Sequence, residues 1–456
     1  MRREENRLVI HNGAYLCLAI AISLSAVGRA TAEEVAADNA ATAPALRLAL
    51  IPAEPIPLPP VEGEASDGGL TLAEVEQLAL AYHPALREAD AQLRAARGNW
   101  LQVGLRPNPE IGYSGSEMGN AGAAGQQGGF VSQEFVTAGK LGLNRAVAGN
   151  EVAAAEQRLA RTRLQVLTTA RTLYFELLAS ERAVVLARQL KAIAEQSVHV
   201  SELRLRAQEG SRAALLQSQI EGEAAAMLEV QATNRQAAAW RRLAAAIGFD
   251  RQVPQTLDDG FQRPLPEFEW QAMRQRLLAA SPELAELRFA VERARMAVAR
   301  ASAGRVPNVD VQAGVAHDTA TDDTIANVLV SVPVPIFDRN QGAIARACGE
   351  LAAARAALEE RELALEQRLA AALSDYNTAG QRLMRYSQTI LPAARESLEL
   401  TNQGYEQGEL EFLQVLSVQQ TYAERNLAYL QDLETAWKKW AQIEGLLVGT
   451  LPESSN

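Results

Sequence analysis

A chain that repeats its own landmarks in order must build one supersecondary unit twice, and this chain does so over most of its length. His83-Pro84-Ala85-Leu86-Arg87 returns as Ser281-Pro282-Glu283-Leu284-Ala285. Arg106-Pro107-Asn108-Pro109 returns as Val306-Pro307-Asn308-Val309, and Glu209-Gly210-Ser211 as Gln407-Gly408-Glu409. All three recurrences lie about 200 residues apart, which places a tandem duplication over 70–247 and 269–449. The joint, 248–268, carries Pro254, Pro264 and Pro266, and 450–456 is a short tail.

Each copy carries the same order of elements. A helix comes first, Leu70 to Leu105 or Trp270 to Arg305, and Thr71 with Glu74 forms a capping box at the start of the first. Two alternating segments follow. In copy two Val309, Val311, Ala313 and Val315 oppose Asp310, Gln312 and Gly314, and Val328, Val330, Val332 and Val334 oppose Leu329 and Ser331. In copy one Ile111, Tyr113 and Gly115 oppose Glu110, Gly112 and Ser114, and Val131, Gln133 and Phe135 oppose Ser132 and Glu134. Period-two alternation predicts strands, with Gly- or Asp-rich loops at Glu117 to Gly128 and His317 to Asn327.

A very long helix comes next, Gly139 to Glu209 in copy one. Leu159, Val166 and Leu173 repeat by sevens, and so do Ala170, Leu177 and Val184. Copy two repeats Leu351, Leu358, Leu365 and Ala372, and also Leu369, Tyr376, Leu383 and Ile390. Two offset stripes on one helix require neighbours on two sides, as in a ring of helices. Pro392 should kink the second long helix. Gly210 and Gly408 reverse the chain into return helices, Ser211 to Gly248 and Leu410 to Leu447. A return helix and a first helix, stacked end to end, match the length of the long one.

Composition agrees. Hydrophobic residues make up 48% but aromatics only 5%, and alanine supplies the excess, which favours closely packed helices. The net charge of -11 comes from mixed signs with no basic face for nucleic acid. Cys17 and Cys348 exclude a disulfide scaffold, and the four histidines are scattered. No phosphate-binding loop, His-Glu-x-x-His or Gly-x-Ser-x-Gly occurs. Carboxylate pairs read as solvated helix faces, His83 as a polar junction residue and His199 as a surface residue. His317 with Asp318, Asp322 and Asp323 reads as solvated loop chemistry. No catalytic residue, cofactor or metal site is expected, and the chain is not expected to be an enzyme.

Arg2, Arg3 and Arg7, an apolar run from Ala14 to Val27 and Ala30-Thr31-Ala32 read as an export signal over 1–32. Ala14-Tyr15-Leu16 before Cys17 is a poor lipid-attachment box, so no lipid anchor is expected. Residues 33–69, with Pro52, Pro55, Pro57, Pro59 and Pro60, read as an extended tether. No other stretch is long and apolar enough for a membrane helix, so any crossing must use strands. Four strands cannot span alone, because open edges leave backbone groups unsatisfied in hydrocarbon. Three copies would supply twelve strands, an allowed even number. In such a barrel Val311, Val330 and Val332 face lipid, and Glu110, Asp310, Gln312 and Ser331 face the lumen. The competing reading is an exported non-channel helical scaffold or adhesin-like rod.

The order of elements resembles the TolC family of outer membrane efflux proteins. The matching residues are Pro84 with its helix, Arg106-Pro107-Asn108-Pro109, Leu391-Pro392-Ala393-Ala394, and Tyr405-Glu406-Gln407-Gly408 followed by Val415-Leu416. Val332-Pro333-Val334-Pro335-Ile336-Phe337-Asp338-Arg339-Asn340-Gln341-Gly342 is similar to the heavy-metal branch, the cobalt–zinc–cadmium-type proteins. Copy one departs from that form at Phe135-Val136-Thr137-Ala138-Gly139-Lys140. The resemblance implies a mainly α protein with a small transmembrane β part. It implies a homotrimer in the outer membrane whose twelve-stranded barrel continues as a periplasmic α-helical tunnel. It also implies passive conduction of cargo, heavy-metal cations in this branch, from an inner-membrane pump of the resistance-nodulation-division type through a periplasmic adaptor (membrane fusion) protein. The adaptor would dock on the hairpin tips, Glu209, Gly210, Ser211 and Arg212 beside Gln407, Gly408, Glu409 and Leu410.

Overall fold

The computed structural model describes residues 69–119, 124–248, 257, 261, 264–407 and 409–447, all within one compact unit, Ala65–Asn456. The expected signal 1–32, the tether up to residue 68, most of the joint 248–268, Gly408 and the tail lie outside the described residues.

The first repeat runs α1 (Leu72–Tyr82), α2 (Pro84–Gln102), β1 (Glu110–Ser116), β2 (Gln126–Phe135), α3 (Lys140–Arg206) and α4 (Arg212–Ala246). The second runs α5 (Trp270–Ala280), α6 (Pro282–Ala303), β3 (Val309–Asp318), β4 (Asp323–Ser331), α7 (Gln341–Arg385), α8 (Leu391–Glu406) and α9 (Phe412–Leu447). Each expected first helix is therefore two. Pro84 and Pro282 stand in the first turn of α2 and α6, and the residues before them, His83 and Ser281, are held extended, as a following proline demands. His83 caps α2, its Nδ1 accepting the Ala85 N–H at 3.2 Å. The capping box of α1 is present: Thr71 Oγ1 accepts the Glu74 N–H at 3.3 Å, and Glu74 Oε2 accepts the Thr71 N–H at 2.8 Å. The hydrogen bond from the Thr71 N–H holds the Glu74 carboxyl below its ordinary range.

α3 has 67 residues, roughly 100 Å of helix at the usual rise. Of its seven-residue stripes α3 buries Val166, Ala170, Leu177 and Val184, while Leu159 and Leu173 are partly exposed. In copy two Leu365, Ala372, Leu369, Tyr376 and Leu383 are buried likewise. α2 and α4 both pack along α3, and α3 also meets α6 and α9, so the long helix does have neighbours on two sides. At Pro392 the interruption takes a definite form. Tyr386–Ile390 is a π-helical turn in which the Leu391 N–H reaches back to Tyr386 O, and α8 then starts with the proline in its first turn.

Two cores hold the helices together. Val75, Ala79, Ala170, Tyr174, Phe175, Trp240, Leu243 and Trp437 form the first. Leu277, Leu284, Leu365, Leu369, Tyr376, Ile443 and Leu447 form the second. Because Trp437 and Ile443 both lie on α9, that helix joins the cores of the two repeats. Buried Glu176 on α3 is clamped by Arg242 of α4 and by Lys438 of α9, the latter at 3.1 Å.

The four strands make one antiparallel sheet in the order β1-β2-β3-β4. The second hairpin loop is much shorter than expected. Strand pairing continues to Asp318 with Asp323, so most of the expected loop His317 to Asn327 belongs to strands, whereas in the first hairpin pairing ends at Ser116 with Gln126 and only 126–128 of the expected loop are strand. At the other end β4 stops at Ser331, leaving Val332 and Val334 beyond it, among prolines that cannot donate to a ladder.

Candidate functional site

The sheet has two chemically different faces, and the register assigns every residue to one. On one face stand Glu110, Ser114, Gln126, Ser132, Glu134, Asp310, Gln312, Asp318, Asp323, Asn327 and Ser331. The four residues expected to face a lumen are thus together: Glu110 is opposite Ser132, Ser132 opposite Gln312, and Asp310 opposite Ser331. Phe130, Ile325 and Leu329 interrupt that face with apolar groups. On the other face stand Ile111, Tyr113, Val131, Phe135, Val309, Val311, Val315, Val328 and Val330, interrupted by the polar Gln127, Gln133, His317 and Thr324. All five carboxylates on the strands share the first face, and no strand carries Lys or Arg. Sequence reading passed over Glu134, Asp318 and Asp323 as lumen candidates, although their parity is the same, because two of them lay in segments taken for loop.

Within the chain β1 and β4 each have one unpaired edge, and every residue of β4 is exposed. Ile111, Val328 and Val330 are 84%, 70% and 60% exposed, an apolar surface that water alone does not favour.

Below the sheet Asn308 ties the repeats. It accepts from Lys140 Nζ at 2.5 Å and from the Thr137 N–H at 3.3 Å, and it donates to Glu134 Oε1 at 2.6 Å. Lys140 is buried there, and desolvation, aided by the Arg300 charge, pulls its pKa down.

The hairpin tips lie at the far end of α3. Gly210 is not in the left-handed region that its turn role suggested. Gln208 is, at φ 60°. The Gln208 N–H binds Leu205 O at 3.1 Å and the Glu209 N–H binds Arg204 O at 2.9 Å, the paired bonds of a Schellman end. Gly210 is needed for closeness instead: a Cβ there would sit 3.1 Å from Arg204 Cβ and Leu205 N. The second tip repeats the pattern, with the Glu409 and Leu410 N–H groups on Gly404 O at 2.9 and 3.2 Å. Glu209 therefore matches Glu409, and Gly210 matches Leu410 rather than Gly408. The recurrence of the two glycines in sequence hides a shift of two residues.

Glu209, Ser211, Arg212, Gln407 and Glu409 are exposed, and Gly210 and Leu410 are half-buried. Contacts that sequence did not disclose bind the tips to each other. Tyr405 is buried, its hydroxyl 3.2 Å from Ser201 Oγ, and Arg204 donates to its carbonyl at 3.2 Å with the guanidinium over its ring. Phe412 and Val415 pack there with Val200 and Ala214.

Among the described residues nothing else that the sequence singled out gathers chemistry. His199 is exposed, Cys348 is exposed, and His317 Nε2 lies 3.4 Å from Asp322 Oδ1 in the open β3–β4 turn. Among the described residues no group of three or more His, Cys, Asp or Glu is placed to hold a metal ion, and no helix is long and apolar enough to cross a membrane.

Comparison with known proteins gives one consistent answer. The sequence profile of the family described as Outer membrane efflux protein matches residues 75–249 and 273–447. Cobalt-zinc-cadmium resistance protein CzcC of Cupriavidus metallidurans is 25% identical over 394 residues, spanning 85% of this chain and 92% of its own. Among solved structures, the outer-membrane channel OprN superposes with a TM-score of 0.73 at 19% identity, over 83% of this chain and 90% of that one. CusC, studied for its transmembrane channel formation, superposes with a TM-score of 0.72 at 17% identity, over 89% and 99%.

Proposed function

The chain belongs to the outer membrane efflux protein family, and on that premise we propose that it is the homotrimeric outer-membrane duct of a tripartite metal-efflux system, fed by an inner-membrane pump through a periplasmic adaptor. The sheet carries this reading. Its apolar face suits lipid and its acidic face suits water, while its two open edges would leave backbone groups unsatisfied in hydrocarbon unless other copies closed them. Three copies give twelve strands, and the long helices continue the barrel as a tunnel. An export signal over 1–32 would deliver the chain, and the repeats 70–247 and 269–449 would each supply one hairpin and one helical stave.

Metal cations are the cargo favoured by likeness to a protein named for cobalt, zinc and cadmium resistance. A sheet face with carboxylates and no base also lowers the electrostatic cost of passing cations. The pump expected behind such a duct is of the resistance-nodulation-division type. The tips, Glu209 to Arg212 and Gln407 to Leu410, are the docking surface for the adaptor, since Glu209, Ser211, Arg212, Gln407 and Glu409 are exposed there.

The test is metal accumulation. Cells lacking this chain should retain more cobalt, zinc and cadmium than wild type, and the restored gene should reverse it. Unchanged metal content in the deletion strain would reject the cargo. In the same cells Gly210→Val, whose branched side chain must push off the Arg204–Leu205 backbone, should reach the outer membrane as trimer yet lose adaptor cross-linking and export together. Normal export by that variant would reject the docking role.

A further inference from the structure

α6 and α9 each pack on both long helices, α3 of the first repeat and α7 of the second. Where the start of α6 comes near the end of α9, the four helices do not close on one another. They leave a cavity of about 360 Å³, far more than a single water fills. Gly445 lets α9 come close to α3 at its wall, since a Cβ there would collide with Thr168 Oγ1.

We propose that this cavity is a binding site for a small oxyanion of phosphate or sulfate size, held where the two repeats meet. Ser281 is the first observation behind it. This residue is 4% exposed, lines the cavity and stands at the N-cap of α6, a position serine fills well, yet its hydroxyl does not cap the helix. Among the described residues that hydroxyl has no hydrogen-bond partner. In the first repeat His83 occupies the same place and does cap α2. A buried hydroxyl without a partner is costly, and an acceptor in the cavity relieves it. Without the serine cap, the first N–H groups of α6 also lack a side-chain acceptor, the arrangement that draws anions to helix N-termini.

Charge decides the sign of the ligand. Arg161 of α3, Arg368 of α7 and Lys439 of α9 line the cavity, against one lining carboxylate, Glu283. The carboxylates nearby are each divided between two arginines. Glu283 lies 2.7 Å from Arg361 and 3.6 Å from Arg368, and Glu286 lies 3.0 Å from Arg158 and 3.1 Å from Arg161. Arg158 also comes within 3.8 Å of Glu151, but Arg293 already holds that group. Lys439 has Asp375 at 2.9 Å. Five bases therefore surround three acids, a local positive surplus in a chain whose formal net charge is -11. The free carbonyls at the end of α9 oppose an anion with only about half a charge, which the start of α6 offsets.

The donors come from all four helices: the Ser281 hydroxyl from α6, guanidinium groups from α3 and α7, and from α9 the Lys439 ammonium beside the Gln442 amide. A tetrahedral oxyanion offers acceptors in several directions and can take donors from separate walls, and a guanidinium matches two of its oxygens at once. A halide has a single centre and cannot. Leu164 and Leu365 make other parts of the wall apolar, where a charged hydrogen bond is stronger than in open water. A bound oxyanion ties α3 of the first repeat to three helices of the second.

Equilibrium dialysis of the full-length, detergent-solubilised protein against radiolabelled inorganic phosphate, at constant ionic strength, tests the site. One phosphate per chain should bind saturably, sulfate should compete, and an equal concentration of chloride should not. Ser281→Ala removes one hydrogen bond to a charged group and should weaken binding about tenfold. The double variant Arg368→Gln, Lys439→Gln should abolish it, and because neither residue is buried it reads the site even if the alanine variant fails to fold. Arg395→Gln, in an exposed ion pair on α8, should bind like wild type. Lack of saturable phosphate binding would show that water alone fills the cavity and would overturn the proposal. Full displacement by chloride, the mark of a diffuse ion atmosphere, would overturn it too, and so would unchanged binding in the cavity variants. None of these outcomes bears on the duct, whose test is metal export.

Discussion

Val328→Arg is expected to abolish the stable trimer, and Gln312→Arg is expected to spare it. Val328 lies on the apolar face near the middle of β4, directly opposite Ala313. An arginine on the lipid face near the midplane costs roughly 2–4 kcal/mol per subunit, and three subunits carry it at once. Gln312 lies one residue along β3 from Val311, on the face that holds the carboxylates, where an arginine reaches water. That variant should assemble, and its added positive charges should reduce cation preference in planar bilayers. Heat-modifiable migration of outer-membrane protein reads the first effect and reversal potential reads the second. Equal loss of trimer in both variants would mean that the two faces do not see different solvents.

The second large effect should come from the helical body. Phe175 is 1% exposed, stacks on Trp437 at 4.8 Å and on Phe261 at 6.0 Å, and meets Tyr174 and Trp440 edge to face. It therefore holds α3 of the first repeat to α9 of the second. Phe175→Ala should cost about 3–5 kcal/mol, through lost burial and the cavity left among rings too rigid to collapse. Phe175→Leu should cost distinctly less, because most of the volume stays. Thermal unfolding of the detergent-solubilised protein should show that order. An alanine variant melting with wild type would show that α9 is held by the Glu176 ion pairs and not by the aromatic cluster.

The helical body was legible in the sequence because burial there is periodic. Ala170, Leu177 and Val184, and likewise Leu369, Tyr376 and Leu383, are buried at sevens, and a seven-residue stripe has few alternatives in a helix of this length. The strands were legible as segments but not as pairs. Asp318, Asp323 and Asn327 resemble loop residues in sequence, yet they are strand residues on the acidic face of the sheet, and only the register reveals this. The turn failed for a different reason. Glycine at 210 suggested a left-handed residue, but Gln208 takes that conformation and Gly210 answers to the closeness of the Arg204 backbone. Bonds between distant residues left no local signal at all. Asn308 with Lys140, and Arg204 with Tyr405, bridge the two repeats across long stretches of chain.

Whether the strands cross the outer membrane and the helices hang beneath it is decided by labelling single cysteines in intact cells, with Cys348→Ala as background. Thr321, in the turn between β3 and β4, and Gln208, at the tip beyond α3, lie on opposite ends of the molecule. A membrane-impermeant maleimide should label Thr321→Cys from outside, and should label Gln208→Cys only after the outer membrane is permeabilised. Labelling of both positions, or of neither, before permeabilisation would contradict a channel that spans the outer membrane.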